Sequence, residues 1–369
     1  MNPGLQTAAD LAWRPVPSRK WWIDGWAVEP GLTLFAGPGG SGKSLLGLVL
    51  AFATAIGRDF GALKLTPGPA LYLSAEDDAG ELHRRLAAIA EGFNTDIADA
   101  GGNLALWDLR GRADITLGSV EADGCWVPSR FMGEVEAVAS GMGCRVIVID
   151  NASCVFAGNE VARIDVTGFC RALDGMALRL GASILLLHHP AKAQGSEWSG
   201  STAWEAAVRS RWLLDRPGKN GDDDGPERIL RLGKSNYGAR GTEVRLSWHA
   251  GTFWPTDELP AGAVAGQKGG RQAADDRTFL ELLAGFAMRG QPLSAARTAG
   301  NYAPRLMARL PDAGGVTVER LTDALERLLA RGEIEARADL GRGPDRKPIY
   351  GIRAVNPAQA DAGQLWGDA

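Results

Sequence analysis

Through its first 190 residues the chain alternates fully apolar runs with amphipathic ones. Gly31–Ala36 is apolar almost throughout and predicts a buried strand, and Leu45–Ile56 predicts a buried helix. Pro69–Ser74 is a second short apolar run, closed by Glu76, Asp77 and Asp78. Val146-Ile147-Val148-Ile149 is β-branched at every position and ends on Asp150, and Ile184–Leu187 ends on His188-His189-Pro190. Between these runs, residues 79–91 put Leu82, Leu86, Ile89 and Ala90 at helical spacing. Residues 163–180 do the same with Ile164, Phe169, Leu173, Met176 and Leu180. Continuous apolar strands separated by helices predict a parallel sheet covered on both faces.

From about residue 208 the pattern shortens. Val208–Leu214, Glu227–Gly233, Glu243–Trp248 and Thr252–Pro255 read as strands joined by polar turns, an antiparallel extension of the sheet. Asp222, Asp223 and Asp224 in the loop 218–226 read as a solvated acidic turn. Residues 256–272, rich in Gly, Ala and Pro, read as a linker. Residues 273–353 read as a small second domain. It has a helix at Phe279–Ala287, an amphipathic helix at Val316–Arg331, and two strands, Glu333–Arg337 and Lys347–Arg353, around a Gly341-Arg342-Gly343-Pro344 turn. Helices followed by a hairpin with a basic tip resemble a winged helix-turn-helix domain. That implies either a helix in the major groove of DNA or a protein contact. Residues 1–30 are irregular, and their tryptophans Trp13, Trp21, Trp22 and Trp26 are expected to cover a sheet edge. Residues 354–369 read as a disordered tail.

Composition narrows the class. In 369 residues, 45% apolar and 23% charged content is ordinary globular usage. No apolar stretch is long enough for a membrane span, and the N-terminus lacks an apolar signal core, so a cytoplasmic location is expected. Four cysteines without C-x-x-C spacing read as reduced thiols. The net charge of -4 excludes a uniformly basic nucleic-acid binder. Residues 271–353 nevertheless carry 14 Lys+Arg against 11 Asp+Glu, which permits phosphate contacts there.

The chemistry centres on Gly37-Pro38-Gly39-Gly40-Ser41-Gly42-Lys43-Ser44, which fits G-x-x-x-x-G-K-[ST]. Strand, glycine loop and helix in that order gather backbone N–H groups and a helix N-terminus around an anion. Lys43 is expected on the β- and γ-phosphates of ATP, and Ser44 on Mg²⁺. Asp150 ends its strand as a Walker B acid does and is expected to hold the metal opposite Ser44. The next residue, Asn151, cannot take a proton, so the acid that activates water must come from elsewhere. Glu76 is the candidate, on a strand expected to lie next to the phosphate-loop strand as in RecA-like ATPases, while Asp77 and Asp78 are expected to cap the following helix. His188 or His189 is placed to sense the γ-phosphate. Arg209, Arg211 and Lys234 are candidates for neutralising charge in a neighbouring subunit's site.

Taken together, Gly37–Ser44, Tyr72-Leu73-Ser74-Ala75-Glu76-Asp77, Val148-Ile149-Asp150, His188-His189-Pro190-Ala191-Lys192, Gly200-Ser201 through Val208-Arg209, and Lys234-Ser235-Asn236-Tyr237-Gly238 carry a resemblance. The chain resembles the plasmid RepA-type hexameric replicative helicases and their phage relatives, RecA-like proteins related to the DnaB and KaiC ATPases. The resemblance covers roughly residues 20–255. It implies an α/β, RecA-like P-loop NTPase domain over 31–255 and a homo-oligomeric ring, a hexamer, with ATP between subunits. It assigns Glu76 as catalytic glutamate, Asp150 as Walker B acid, one of His188 and His189 as sensor, and Arg209 as an arginine finger given in trans. It places Arg85 near the nucleotide base, Lys234 at the subunit interface, and single-stranded DNA against Lys192–Ser199, where Trp198 can stack on a base. The second domain departs from the compact family pattern; duplex DNA or a replication protein is its expected partner. The expected function is an ATP-hydrolysing ring motor on DNA, a replicative helicase; the alternative is a DNA-binding regulatory or loader ATPase that separates no strands.

Overall fold

The computed structural model describes residues 6–121, 125–189, 202–217, 225–238, 241–259, 261–342 and 346–355, without the side chains of 202 and 261–268. The chain divides at 259/260 into two compact units. The first contains, in order, α1 (Ala8–Leu11), β1 (Lys20–Ile23), β2 (Ala27–Glu29), β3 (Gly31–Ala36), α2 (Lys43–Ile56), β4 (Ala70–Ser74), α3 (Ala79–Gly92), β5 (Leu104–Asp108), β6 (Gly118–Val120), β7 (Trp126–Pro128), α4 (Arg130–Met142) and β8 (Val146–Asp150). It continues with α5 (Ala152–Val155), α6 (Arg163–Leu180), β9 (Ser183–His188), α7 (Thr202–Ala207), β10 (Ser210–Asp215), β11 (Glu227–Ser235), β12 (Glu243–His249) and β13 (Thr252–Pro255).

Nine of these strands form one sheet in the order β13-β12-β11-β10-β3-β9-β8-β4-β5. From β10 through β5 neighbouring strands are parallel, and from β10 outward through β13 they are antiparallel. The central strands are buried on both faces because successive side chains alternate between two cores. Along β8, Val146 and Val148 join a core with Leu46, Val49, Phe52 and Leu86 from α2 and α3. Ile147 and Ile149 join the opposite core with Phe131, Val135, Phe169 and Leu173 from α4 and α6. That alternation explains why these strands read as unbroken apolar runs.

Four expectations for this unit change. The strand at Ser210–Asp215 belongs to the antiparallel extension on one side only: it pairs antiparallel with β11 but parallel with β3, Ser210 opposite Thr33 and Leu213 opposite Ala36. Glu76 does not follow a neighbour of the phosphate-loop strand. That strand, β3, lies between β9 and β10, and β4 lies beyond β9 and β8. Chain order does not fix spatial order where helical crossovers join parallel strands. The tryptophans also divide: Trp22 and Trp26 are buried around Trp212, with ring centroids 5.9 and 5.8 Å away, whereas Trp13 is 94% exposed. On α6, Phe169, Leu173 and Met176 face inward as expected, but Ile164 is exposed.

The second unit contains α8 (Ala261–Met288), α9 (Ala303–Met307), α10 (Val318–Ala330), β14 (Ile334–Arg342) and β15 (Pro348–Ala354), with a bridge pairing Ser294 to Tyr302 between α8 and α9. Its core gathers Phe279, Leu283, Phe286, Tyr302, Met307, Leu321, Leu325, Leu328 and Ile352. The linker reading of 256–272 is corrected, because α8 begins at Ala261 and runs through that stretch. Alanine, Gln, Lys and Arg there favour helix enough to offset the glycines. α10 starts on Thr317, whose side chain accepts from Arg320 N–H. The amphipathic pattern puts Arg320 and Arg327 on the outward face with Glu319, Asp323 and Glu326, but both are turned onto buried carboxylates. Arg320 pairs with Asp275, and Arg327 and Arg331 pair with Asp276 at 2.7 Å each. Lys192–Ser199, Asp222–Asp224 and nearly all of the tail lie outside the described residues.

Candidate active site

Parallel register brings the sheet's chemistry to one edge. Ala36 lies level with His188, and Ser74 with Asp150, so the residues after β3, β9, β4 and β8 emerge together at the carboxyl ends. The loop 37–42 turns there with Gly40 at φ 69° and Gly42 at φ 97°, conformations that favour glycine. A side chain at Gly42 would also run into the Phe253 ring. α2 therefore starts at Lys43 with its N-terminus opening onto the loop.

Lys43 is almost fully buried. Its Nζ donates to the carbonyls of Gly37 at 2.7 Å and Pro38 at 2.9 Å and lies 3.0 Å from His189 Nδ1. Burial pulls its pKa down to about 8, against the opposing fields of Asp150 and Glu76. Asp150 is buried as well, and burial pushes its carboxyl up to about 6, opposed by hydrogen bonds from Tyr72 and Ser44. The Tyr72 hydroxyl lies 2.8 Å from Asp150 Oδ2 and 2.9 Å from the Ser44 carbonyl, tying the end of β8 to the start of α2. Asp150 Oδ1 is buried without a hydrogen-bond partner among the described residues.

Glu76 stands half exposed at the mouth of this cluster, its Oε1 3.9 Å from His189 Nε2. Asn151 Nδ2 donates to the same oxygen at 2.5 Å. The two histidines separate. His189 lies between Lys43 and Glu76; burial and the nearby ammonium lower its pKa. A neutral ring accepts at Nδ1 from Lys43 and keeps its proton on Nε2, toward Glu76. His188 is buried instead against Trp204, centroids 4.6 Å apart, and burial holds its pKa down to about 4.

The other sequence candidates stand apart. Arg85 forks onto Asp77, at 2.5 and 3.2 Å, and bonds Glu81 at 2.9 Å. Asp78, as expected, caps α3 by accepting from Glu81 N–H at 2.9 Å, but Asp77 does not cap. Arg211 pairs with Glu205 at 3.2 Å, and Lys234 donates to the Glu205 carbonyl at 2.7 Å. Arg209 is exposed at the amino end of β10, bonding the Tyr237 hydroxyl at 2.9 Å.

A family model of an AAA domain matches residues 2–195, more than half of the chain. The chain belongs to that family. It is a P-loop ATPase. Among solved structures it is similar to the KaiC-like protein PH0186 from Pyrococcus horikoshii OT3, at 18% identity over 65% of this chain and 94% of that one, with a TM-score of 0.45.

The ATPase has side chains suited to Mg²⁺ carried in on ATP. No group of three or more His, Cys, Asp or Glu that could hold a metal occurs among its described residues. One orphaned Asp150 oxygen beside Ser44 instead suits a hard cation that takes its remaining ligands from phosphates and water. Sequence reading missed the second ring of contacts. Arg228 Nε donates to the Ser41 carbonyl at 2.9 Å, and Arg216 lies 3.3 Å from the Gly40 carbonyl. They brace the loop and add positive charge behind it. Arg216 directly follows β10, a strand-end position that was the available signal. No described helix of the ATPase is long and apolar enough to cross a membrane.

Proposed function

We propose that this ATPase is a RecA-like ring motor acting on DNA, a RepA-type replicative helicase, in which each ATP site is completed by the next subunit. The position of Arg209 carries the reading. It precedes Ser210, which pairs with Thr33, so it lies level with Leu32 on β3. The phosphate loop begins five residues further up the strand, about 16 Å at the usual rise. No arginine side chain spans that distance. An exposed arginine at the amino end of its strand, opposite its own phosphate loop, is useful to a neighbour's phosphates, and a head-to-tail contact that repeats closes into a ring. A hexamer is the proposed closure.

In this mechanism Lys43 turns from the Gly37 and Pro38 carbonyls to the β- and γ-phosphates. Ser44 and Asp150 would hold Mg²⁺, which would supply positive charge to offset that of the phosphates. Glu76 takes a proton from water as the water oxygen bonds to the γ-phosphorus. The bond to the bridging oxygen breaks with its electrons leaving on ADP, and Arg209 of the next subunit offsets that charge. His189, released by Lys43, reports the γ-phosphate to the segment beyond β9, where single-stranded DNA is proposed to bind.

The second unit supports a nucleic-acid partner through its hairpin. Its element order matches a winged helix-turn-helix, and β14–β15 exposes Arg337, stacked 5.0 Å from the Tyr350 ring, with Arg342, Arg346 and Lys347 toward the tip. The exposed face of α10 is acidic, with Glu319, Asp323 and Glu326, because its arginines are turned to Asp275 and Asp276. That face would repel a phosphate backbone and suits a protein instead. It therefore favours the second reading, a loader or regulatory ATPase that recruits a replication protein. A forked-duplex assay separates the two: ATP-dependent strand displacement supports the motor, and duplex binding without displacement supports the loader.

A further inference from the structure

We infer that Asn151, oriented by Ser153, is a positioning residue that holds Glu76 for attack by water. The inference rests on the reading of Glu76 as the base.

Asn151 occupies the N-cap of α5, where asparagine ordinarily accepts from the first-turn N–H groups. Here its side chain makes no capping bond. It is fully buried, and its amide is spent elsewhere. Nδ2 donates to Glu76 Oε1 at 2.5 Å, and Oδ1 accepts from Ser153 Oγ at 2.6 Å. Only this orientation works. The flipped amide would set an oxygen against the carboxylate and leave the serine hydroxyl facing NH₂.

The arrangement answers a geometric need. Glu76 lies beyond the end of β4, in the turn before α3, and a half-exposed carboxylate there has many rotamers. β8 pairs directly with β4, Asp150 opposite Ser74, so the residue after Asp150 is the nearest fixed point from which to reach Glu76. An amide in that place binds one carboxylate oxygen and leaves the other for water. It also links base and metal ligand: Asp150 and Asn151 are consecutive, so the distance between metal and base is set by one stretch of backbone. A carboxylate at 151 would repel Glu76 instead.

The test is steady-state ATP hydrolysis by the full chain with Mg²⁺, paired with equilibrium binding of ATP. Asn151→Ala, and Asn151→Asp, which keeps the shape but not the donor, are each expected to lower kcat about 10²-fold with ATP affinity within about 2-fold, the cost of a misplaced reacting group. Ser153→Ala, at an exposed position that tolerates change, is expected to lower kcat several-fold, and Ser153→Thr, which keeps the hydroxyl, to recover most of that loss. In a Glu76→Gln background, Asn151→Ala should cost little more, because both act on one step. Asn151→Ala with normal kcat, or with an undiminished effect in the Glu76→Gln background, would overturn the inference. A Glu76→Gln single variant with normal turnover would instead remove Glu76 as base, a separate failure.

Discussion

The phosphate-loop site of the first unit and the core of the second bury charge in opposite ways. In the second, Asp275 and Asp276 are buried beneath Arg320, Arg327 and Arg331, and each carboxylate meets a guanidinium in close pairs. In the first, Lys43 and Asp150 are as deeply buried, yet the lysine binds two carbonyls and a neutral ring, and the aspartate keeps an orphaned oxygen. The consequence is visible in their protonation: burial drives both toward neutrality, Lys43 down to about 8 and Asp150 up to about 6. Matched buried charge holds a fold together. Mismatched buried charge waits for a ligand of complementary charge, here a phosphate and a divalent cation.

The largest effects should fall on opposite properties. Lys43→Met should cut ATP hydrolysis by at least ~10³-fold while raising the melting temperature of the nucleotide-free protein, since a poorly paired buried cation is removed. A lower melting temperature would show that Lys43 is structural after all. Asp276→Ala should do the reverse. It leaves two arginines facing an empty site and should cost roughly 2–3 kcal/mol in urea unfolding, less than a fully buried pair because Arg331 is partly in water. ATPase rate per folded molecule should stay unchanged, and a proportional loss of activity would undo the contrast.

A smaller effect concerns pH. The folded pKa of Asp150 is raised from 3.8 to about 6, so between those values the folded state holds the extra proton. Its contribution to stability is fully present below about 4 and lost as pH rises through about 6. His188, lowered from 6.5 to about 4, acts in the opposite sense: its contribution is present above about 6.5 and lost as pH falls through about 4. The two overlap, so the readout is the difference between the parent protein and Asp150→Asn. The variant should gain relative stability as pH rises from 4 to 6 in nucleotide-free buffer. A constant difference would mean that Asp150 is not the mismatched group.

Much of this was legible because it is periodic or punctuated. Phosphate loop, parallel strands, α6 and α10 follow from apolar spacing and glycine placement. Spatial order was not legible. Nothing local in Pro69–Ser74 tells that two strands separate it from β3, since crossovers decide that. Nor could spacing choose between His188 and His189; the choice depends on Trp204 filling the space beside one ring. The partners of Arg85 were partly legible: Glu81 lies four residues back on α3, while Asp77 comes within reach only through the turn after β4. Arg320 and Arg327 read as outward-facing because their partners lie some fifty residues back, on α8.

The central claim is a site shared between subunits, and mixing variants tests it most directly. Arg209→Ala and Lys43→Ala should each be nearly inactive alone with Mg²⁺-ATP and single-stranded DNA. Mixed in equal amounts under ring-forming conditions, they should regain roughly a quarter of parental activity, the share of random head-to-tail interfaces that join an intact loop to an intact arginine. A mixture as inactive as its components, or an Arg209→Ala protein that hydrolyses ATP normally by itself, would contradict the shared site.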